Sequence, residues 1–456
     1  MSGEGKNISY KPSDGLSYDP VDPKYWDADA LQKEIERAFE ICHGCRMCFK
    51  YCDVFPDLFR LLDERYDGDV RKVTADDTQG LMASCFQCKL CEVQCPYTPR
   101  DGHEFQLDFP RLVHRYSAQK ARNDGIPLRE RLLGDPDGAA KMARATFGLA
   151  NAMNKVSLHR VLFEKAVGIH RKKKLPIFEA ETFDAWAQKN DHVLPPASDV
   201  EVVLYPTCFV NNNETSVGKD TLFVLEKNGI KTACAPGLKC CGMPAWEHGD
   251  LDRLRAQVRQ TLDILEPYVD QGAKVVVLNP TCTMMARREW KELLEGDERI
   301  RAEKISAAVR DPGELLWSIR KEERFSTDFK STPGEKVAYH APCHLRAQGV
   351  GFKGRDLLRK IPGVTPQTVL ECCGHDGTYG MKVETFEASG RIGERAFRDM
   401  AGADAEVWAT ECPLAATQFE QWAGKKALHP MTVLARAYRE DGFEKKLESA
   451  SEEVSS

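Results

Sequence analysis

Two copies of one cysteine run constrain this chain more than any other feature. Cys42, Cys45, Cys48 and Cys52 read C-x2-C-x2-C-x3-C. Cys85, Cys88, Cys91 and Cys95 repeat that spacing, and the second run continues into Pro96. Three thiolates at intervals of three wrap one corner of a [4Fe–4S] cube, and in paired runs the fourth cysteine ligates the other run's cluster. The spacing predicts one cluster on Cys42, Cys45, Cys48 and Cys95, and a second on Cys85, Cys88, Cys91 and Cys52. Crossed ligation of this kind ties the two segments together and keeps the clusters within electron-transfer range. Structural zinc is the rival, but it calls for four ligands in two separated pairs. Eight cysteines in two identical runs do not fit that. Asp53 follows Cys52 where proline usually stands. Proline binds no iron, so this departure bears on the local turn and the potential, not on ligation.

A ferredoxin-type segment accounts for only the start of a 456-residue chain, which is long enough for about three domains. The N-terminus, Met1 to Pro20, is polar and lacks the apolar core of a secretory signal. Seventeen cysteines without such a signal point to metal binding in a reducing compartment. A net charge of −6 argues against a nucleic-acid partner. No apolar run approaches the roughly 20 residues of a membrane span. A cytoplasmic protein, soluble or peripheral at the inner face of the cell membrane, is expected. There is no G-x-G-x-x-G after a strand and no P-loop, so neither FAD nor NAD binding is supported. Gly349, Gly351 and Gly354 lie near Cys343 without forming such a motif and read as a loop over that site.

Beyond residue 195 apolar β-branched runs alternate with helical stretches, the pattern of a parallel α/β sheet. The first run ends at Pro206-Thr207-Cys208, a later segment reaches Cys240-Cys241-Gly242, and the run Ala273 to Leu278 ends at Cys282. The pattern then recurs: Lys336 to His340 leads to Cys343, Cys372-Cys373-Gly374 follows, and Ala405 to Thr410 ends at Cys412. Equivalent cysteines stand 135, 132 and 130 residues apart, which marks an internal duplication. Open α/β sheets bind ligands at the carboxyl ends of their strands. Four cysteines therefore converge on one predicted site per repeat: Cys208, Cys240, Cys241 and Cys282 in the first, and Cys343, Cys372, Cys373 and Cys412 in the second. The glycine after each doublet allows close backbone approach to a cluster, or a positive φ.

The segments YPTCFVNNNETSVGKD, KCCGMP, NPTCTM, YHAPCHLRAQG, CCGHDGTYGMK and GADAEVWATECP resemble the CCG-domain iron–sulfur subunits. That family includes the B and D subunits of heterodisulfide reductases, the glycolate oxidase iron–sulfur subunit and lactate-utilisation proteins. The resemblance is strongest to the C subunit of anaerobic glycerol-3-phosphate dehydrogenases, and it covers nearly the whole chain. It implies a multidomain α+β protein: an N-terminal α-helical two-cluster ferredoxin-type domain, then a duplicated α/β CCG domain. Boundaries are expected at 1–130 for the ferredoxin-type domain, 131–196 for a helical linker, 197–330 and 331–445 for the repeats, and 446–456 for a disordered tail. Family members often end each repeat with C-x2-C. Here Met285 and Ala415 stand at the final cysteine's place, leaving four thiols per repeat. The five-thiolate arrangement goes with clusters that cleave a heterodisulfide. Four suffice for a further iron–sulfur cluster in each repeat, with zinc, a free dithiol or an empty site as the alternatives.

The functional expectation is an electron-transfer subunit of an oxidoreductase complex, not a stand-alone enzyme. A flavin-containing dehydrogenase or other redox protein would supply electrons, and quinone or another acceptor would take them. The alternatives are a thiol–disulfide enzyme, with Cys372 or Cys373 as the catalytic candidates, and a redox partner of a rubrerythrin-type peroxide-reducing protein. Cys234, the leftover cysteine, reads as a buried apolar thiol. His340, His344, His375 and His248 flank the sites, either to bond cluster sulfur or carry a proton, or to satisfy strand-end carbonyls. Ala139 to Ile169 carries Met142, Phe147, Met153, Val156 and Phe163 at helical spacing, followed by the basic run His170 to Lys174. It reads as a solvated helix end, or as a basic amphipathic segment resting on anionic lipid or an acidic partner.

Overall fold

Apolar β-branched runs supply two parallel sheets. In a computed structural model describing residues 8–447, the first comprises β1 (Val202–Tyr205), β2 (Thr232–Cys234), β3 (Lys274–Val277) and β4 (Val309–Arg310). They lie in the order β2-β1-β3-β4. A short antiparallel pair joins β5 (Ser331–Thr332) to β9 (Lys445–Lys446). The second sheet has β6 (Lys336–His340), β7 (Thr365–Val369) and β8 (Val407–Ala409), in the order β7-β6-β8. Its central strand pairs in parallel with both neighbours, as β1 does in the first sheet. A parallel bridge from Ala409 to Leu428 stands where the first sheet has β4. The duplication thus extends to sheet order, with the fourth strand reduced to one bridge.

Parallel sheets are covered on both faces, which is why the central strand β1 is apolar and buried throughout, whereas the edge strand β7 (Thr-Pro-Gln-Thr-Val) is only partly so. Alternate side chains divide between the layers. Val202 and Leu204 of β1 share one core with Val337 and Tyr339 of β6, while Val203 and Tyr205 enter the core on the opposite face. The helices Thr215–Lys227 and Pro430–Ala437 pack together in that shared layer and join the two repeats. The protein is therefore a multidomain α+β chain, with a helical N-terminal domain ahead of two α/β repeats. The N-terminal domain centres on helix Ala28–Cys45, capped by the Asp27 side chain on the Ala30 N–H. Helices Val54–Glu64 and Phe109–Asp124 complete its core. The acidic, serine-rich end from Glu448 to Ser456, expected as a disordered tail, lies outside the described residues.

The segment between the N-terminal domain and the first repeat departs from expectation. Ala139 to Ile169 is not one helix but parts of three: Pro136–Ala145, Leu149–Met153 and Ser157–Val167. The third ends at Gly168, whose φ of 70° turns the chain back. The basic run that follows is not a solvated helix end. It wraps the buried Arg160 guanidinium, which donates to the carbonyls of His170, Arg171 and Lys173, and it docks on the second repeat. His170 N–H donates to Met381 O at 2.8 Å, and its ring stacks on Phe386. Lys173 is 4% exposed. Gly354, expected in a loop, lies in helix Lys353–Leu358, where a Cβ would strike the Glu411 carboxylate.

Candidate iron–sulfur sites

Each cysteine run bends round a cavity because its backbone reverses hand within it. Arg46 and Lys89, at the same position in the two runs, take φ of 55° and 59°, and Gln87 takes 58°. Two small cavities result, of about 20 and 10 Å³. One is lined by Cys42, Cys45, Cys48 and Cys95, walled by Phe55, Phe59 and Leu107. The other is lined by Cys52, Cys85, Cys88 and Cys91, walled by Phe55, Phe86 and Phe109. The fourth cysteine of each run thus faces the cavity of the other run. Burial first, with neighbouring thiolates adding to it, holds Cys42, Cys52 and Cys91 well above the ordinary thiol range. Burial pushes Cys48 and Cys85 up to about 12. Among the described residues, no three His, Cys, Asp or Glu side chains close on a point tightly enough for a single ion.

In the first repeat Cys208 follows β1 after Thr207, a β-branched residue at φ 71°, a conformation that costs about 1–3 kcal/mol. Cys240, Cys241 and Cys282 share one buried core with Cys208 packed against it, and the four thiols act electrostatically on one another. Asp137, from outside the repeat, accepts the Cys240 N–H on Oδ2 at 2.7 Å. Burial, then the Cys240 charge, raises Asp137 to about 6.

The second repeat packs Cys343 and Cys372 into one buried cluster with Cys88 of the N-terminal domain. Cys343 and Cys412 act electrostatically on Cys373. Gly242 and Gly374 follow the doublets at φ 88° and 75°. A Cβ on Gly374 would sit 2.0 Å from Ser389 O, and one on Gly242 would sit 1.9 Å from Leu254 Cδ1. These glycines admit a close-packed helix as well as the positive φ. Lys173 Nζ donates to Gln418 Oε1 at 2.8 Å, and Gln418 Nε2 donates to Cys373 O at 3.0 Å. Burial, partly opposed by Cys373, lowers Lys173 to about 8.

The N-terminal domain is seated on the repeats through polar contacts, some buried and some exposed, that the sequence does not signal. Lys89 and Glu289 pair at 2.7 Å with both side chains fully buried, and Arg111 reaches the same carboxylate at 3.4 Å. Asp53, at the expected proline position, binds Arg391 of the second repeat at 2.7 Å. Tyr51, Phe86, Cys88, Leu90, Cys343, Cys372 and Tyr379 form one buried cluster. His344 bridges three cysteine loops. Its Nδ1 accepts from Thr281 Oγ1 at 2.9 Å, and its Nε2 donates to Gln87 O at 2.8 Å with Asp376 Oδ2 at 3.1 Å. His340 Nε2 likewise bonds Glu371 O, His375 Nδ1 accepts from Gly380 N–H, and His248 bonds Thr378. His340 and His375 thus meet backbone and hydroxyl groups, the plainer of the two expectations, whereas His344 and His248 also face carboxylates, Asp376 and Glu130. Cys234 is buried in β2 within the apolar core, as expected.

A 4Fe-4S dicluster domain model matches residues 41–98, and a cysteine-rich domain model, CCG, matches 202–287 and 337–420. The C subunit of the anaerobic glycerol-3-phosphate dehydrogenase of Escherichia coli K12 is 31% identical over 314 residues, covering 68% of this chain and 77% of that protein. The chain belongs to the CCG-domain iron–sulfur subunit family. Lactate utilization protein A of Bacillus cytotoxicus is 26% identical over 190 residues, covering 40% of this chain and 76% of the relative. The Bacillus velezensis protein of the same name is 27% identical over 190 residues, with the same coverage. The CCG-domain subunit is thus an iron–sulfur protein, and its make-up is consistent with electron transfer. No helix of its described residues is long and apolar enough to cross a membrane.

Proposed function

We propose that this CCG-domain subunit relays electrons from a flavin-containing dehydrogenase or similar redox protein to quinone or another acceptor. Cys42, Cys45, Cys48 and Cys95 would hold one [4Fe–4S] cluster, and Cys85, Cys88, Cys91 and Cys52 a second. The four cysteines of each repeat would hold one further iron–sulfur cluster. Two observations support the fit. Each of the two N-terminal groups of four lines a cavity instead of closing on a single-ion point. Cys42 and Cys52, which burial holds well above the ordinary thiol range, also need a cationic core to become thiolates. Such clusters, when bound, accept and release single electrons at potentials set by charge, hydrogen bonds and burial.

The observation that carries the reading is the packing of Cys88 with Cys343 and Cys372 in one buried cluster. It brings the second cavity and the second repeat together inside one buried cluster. The chain's own work is positioning: the Lys89–Glu289 pair, the Asp53–Arg391 pair and His344 hold the three loops in register. The test is freeze-quench electron paramagnetic resonance during reduction by photoreduced flavin. Cys52→Ala should slow reduction of the second-repeat signal while dithionite still reduces it at equilibrium. An unchanged rate would remove the relay.

The proposal extends to a peripheral contact at the cytoplasmic face of the membrane. Phe147 is 98% exposed, and Leu128, Met142, Leu158, Leu162 and Ile177 are also exposed. Lys141, Lys155, Lys165, Arg171 and Lys172 stand exposed in the same segment. Apolar side chains with cations alongside suit anionic headgroups.

A further inference from the structure

The two repeats share one architecture, yet the segment between the N-terminal domain and the first repeat meets them with opposite charges. Asp137 is turned inward onto the first site, its carboxylate on the Cys240 N–H. Its charge also acts on Cys208 and Cys282. Lys173 is turned inward onto the second site. Its ammonium is buried, its hydrogen-bond partner is the Gln418 amide and not a carboxylate, and that amide in turn holds the Cys373 carbonyl. The Lys173 charge acts on Cys373 and His375. Burying an ammonium against a neutral amide is costly. An anionic cluster–thiolate assembly at Cys373 would supply the missing counter-charge.

Nearby charges do not cancel the contrast. Asp376 acts on Cys282 as well as on Cys373 and Cys412, so it bears on both sites. Lys239 offsets Asp137 in part, and Asp135 adds negative charge at Cys240.

We propose that this segment sets the two sites at different potentials, Lys173 raising that of the second repeat and Asp137 lowering that of the first. The proposal rests on the reading that each repeat holds an iron–sulfur cluster. Reduction adds negative charge, so a fixed cation favours the reduced form and a fixed anion the oxidised form. One electron lost at the Cys88 site is one electron gained at the Cys372 site, with no bond or proton exchanged. The first electron to arrive then rests on the second repeat, beside its point of entry, and the first repeat fills only afterwards. Lys173 and Asp137 are positioning residues in this scheme.

The test is an anaerobic potentiometric titration of the full chain followed by electron paramagnetic resonance, with signals assigned through Cys208→Ala and Cys412→Ala. At a fixed poise, K173M should lower the reduced-to-oxidised ratio of the second-repeat signal about tenfold, equal to about 59 mV for one electron. K173R should restore the ratio, and K173Q stands in if the methionine variant does not fold. D137N keeps an acceptor for the Cys240 N–H but no charge, and should raise the first-repeat ratio by a similar factor. Ratios that stay put, or move the opposite way, with iron content intact overturn the proposal. Iron analysis showing no cluster in either repeat of the unmodified chain overturns the reading beneath it, before any variant is made.

Discussion

Replacing Glu289 by glutamine strikes the contact that seats the N-terminal domain on the first repeat. The carboxylate faces Lys89 at 2.7 Å and Arg111 at 3.4 Å, and the Lys89 and Glu289 side chains have no solvent exposure. At 2.7 Å and an effective dielectric of 20, the gross attraction of one such pair is about 6 kcal/mol. Desolvation consumes much of that, but removing one partner strands the other, at about 3–5 kcal/mol. Glu289→Gln strands a buried lysine and weakens the hold on Arg111, so it belongs near 5. Lys89→Met leaves the carboxylate its arginine and belongs near 3. The double variant leaves Arg111 its more distant partner Asp108, at 3.8 Å, and should cost clearly less than the two losses added. Anaerobic guanidinium unfolding followed by circular dichroism and by cluster absorbance would measure all three. Losses below about 1 kcal/mol, as for an exposed pair, or strictly additive losses, would refute the assignment.

The same pair has a pH signature. The cations beside Glu289, Lys89 first, outweigh burial and hold its carboxyl far below the ordinary range. Its contribution is therefore full above the unfolded value of about 4.3 and is lost as pH falls towards the folded one. The stability gap between the unmodified chain and Glu289→Gln should be flat from pH 8 to 5 and narrow below about pH 4. Gly374→Ala, with a Cβ against Ser389 O at positive φ, should cost about 3 kcal/mol and release metal from the second repeat. Gly402→Ala, where a Cβ meets nothing, should not, and metal analysis of both variants decides it. Phe147→Asp should weaken sedimentation with anionic vesicles while changing stability by less than about 0.5 kcal/mol. Equal binding would remove that face from the membrane contact.

What the sequence makes legible here is local or periodic. The cysteine runs announce themselves because cluster ligation fixes spacing along the chain, and the strands because both faces of a parallel sheet are buried. The duplication shows in three similar offsets, although its fourth strand survives in the second repeat only as the Leu428 bridge. What stays hidden is tertiary. Lys173 sits between Lys172 and Lys174 in a run whose composition suggests a solvated surface. Only docking against the second repeat buries the middle residue alone. Asp53 is visible as a missing proline but not as the partner of Arg391. Asp137 carries no pattern at all, because its meaning comes from a backbone N–H in a distant loop. The cluster of Cys88 with Cys343 and Cys372 is likewise set by how whole domains pack, which no spacing encodes.

The most direct test of the account is the content of iron, zinc and acid-labile sulfide per chain after strictly anaerobic purification. Four clusters of cubane size predict about sixteen irons, matching sulfide and negligible zinc. About eight irons, with zinc or free thiols in the repeats, would confine electron transfer to the N-terminal domain and contradict a relay through both CCG sites.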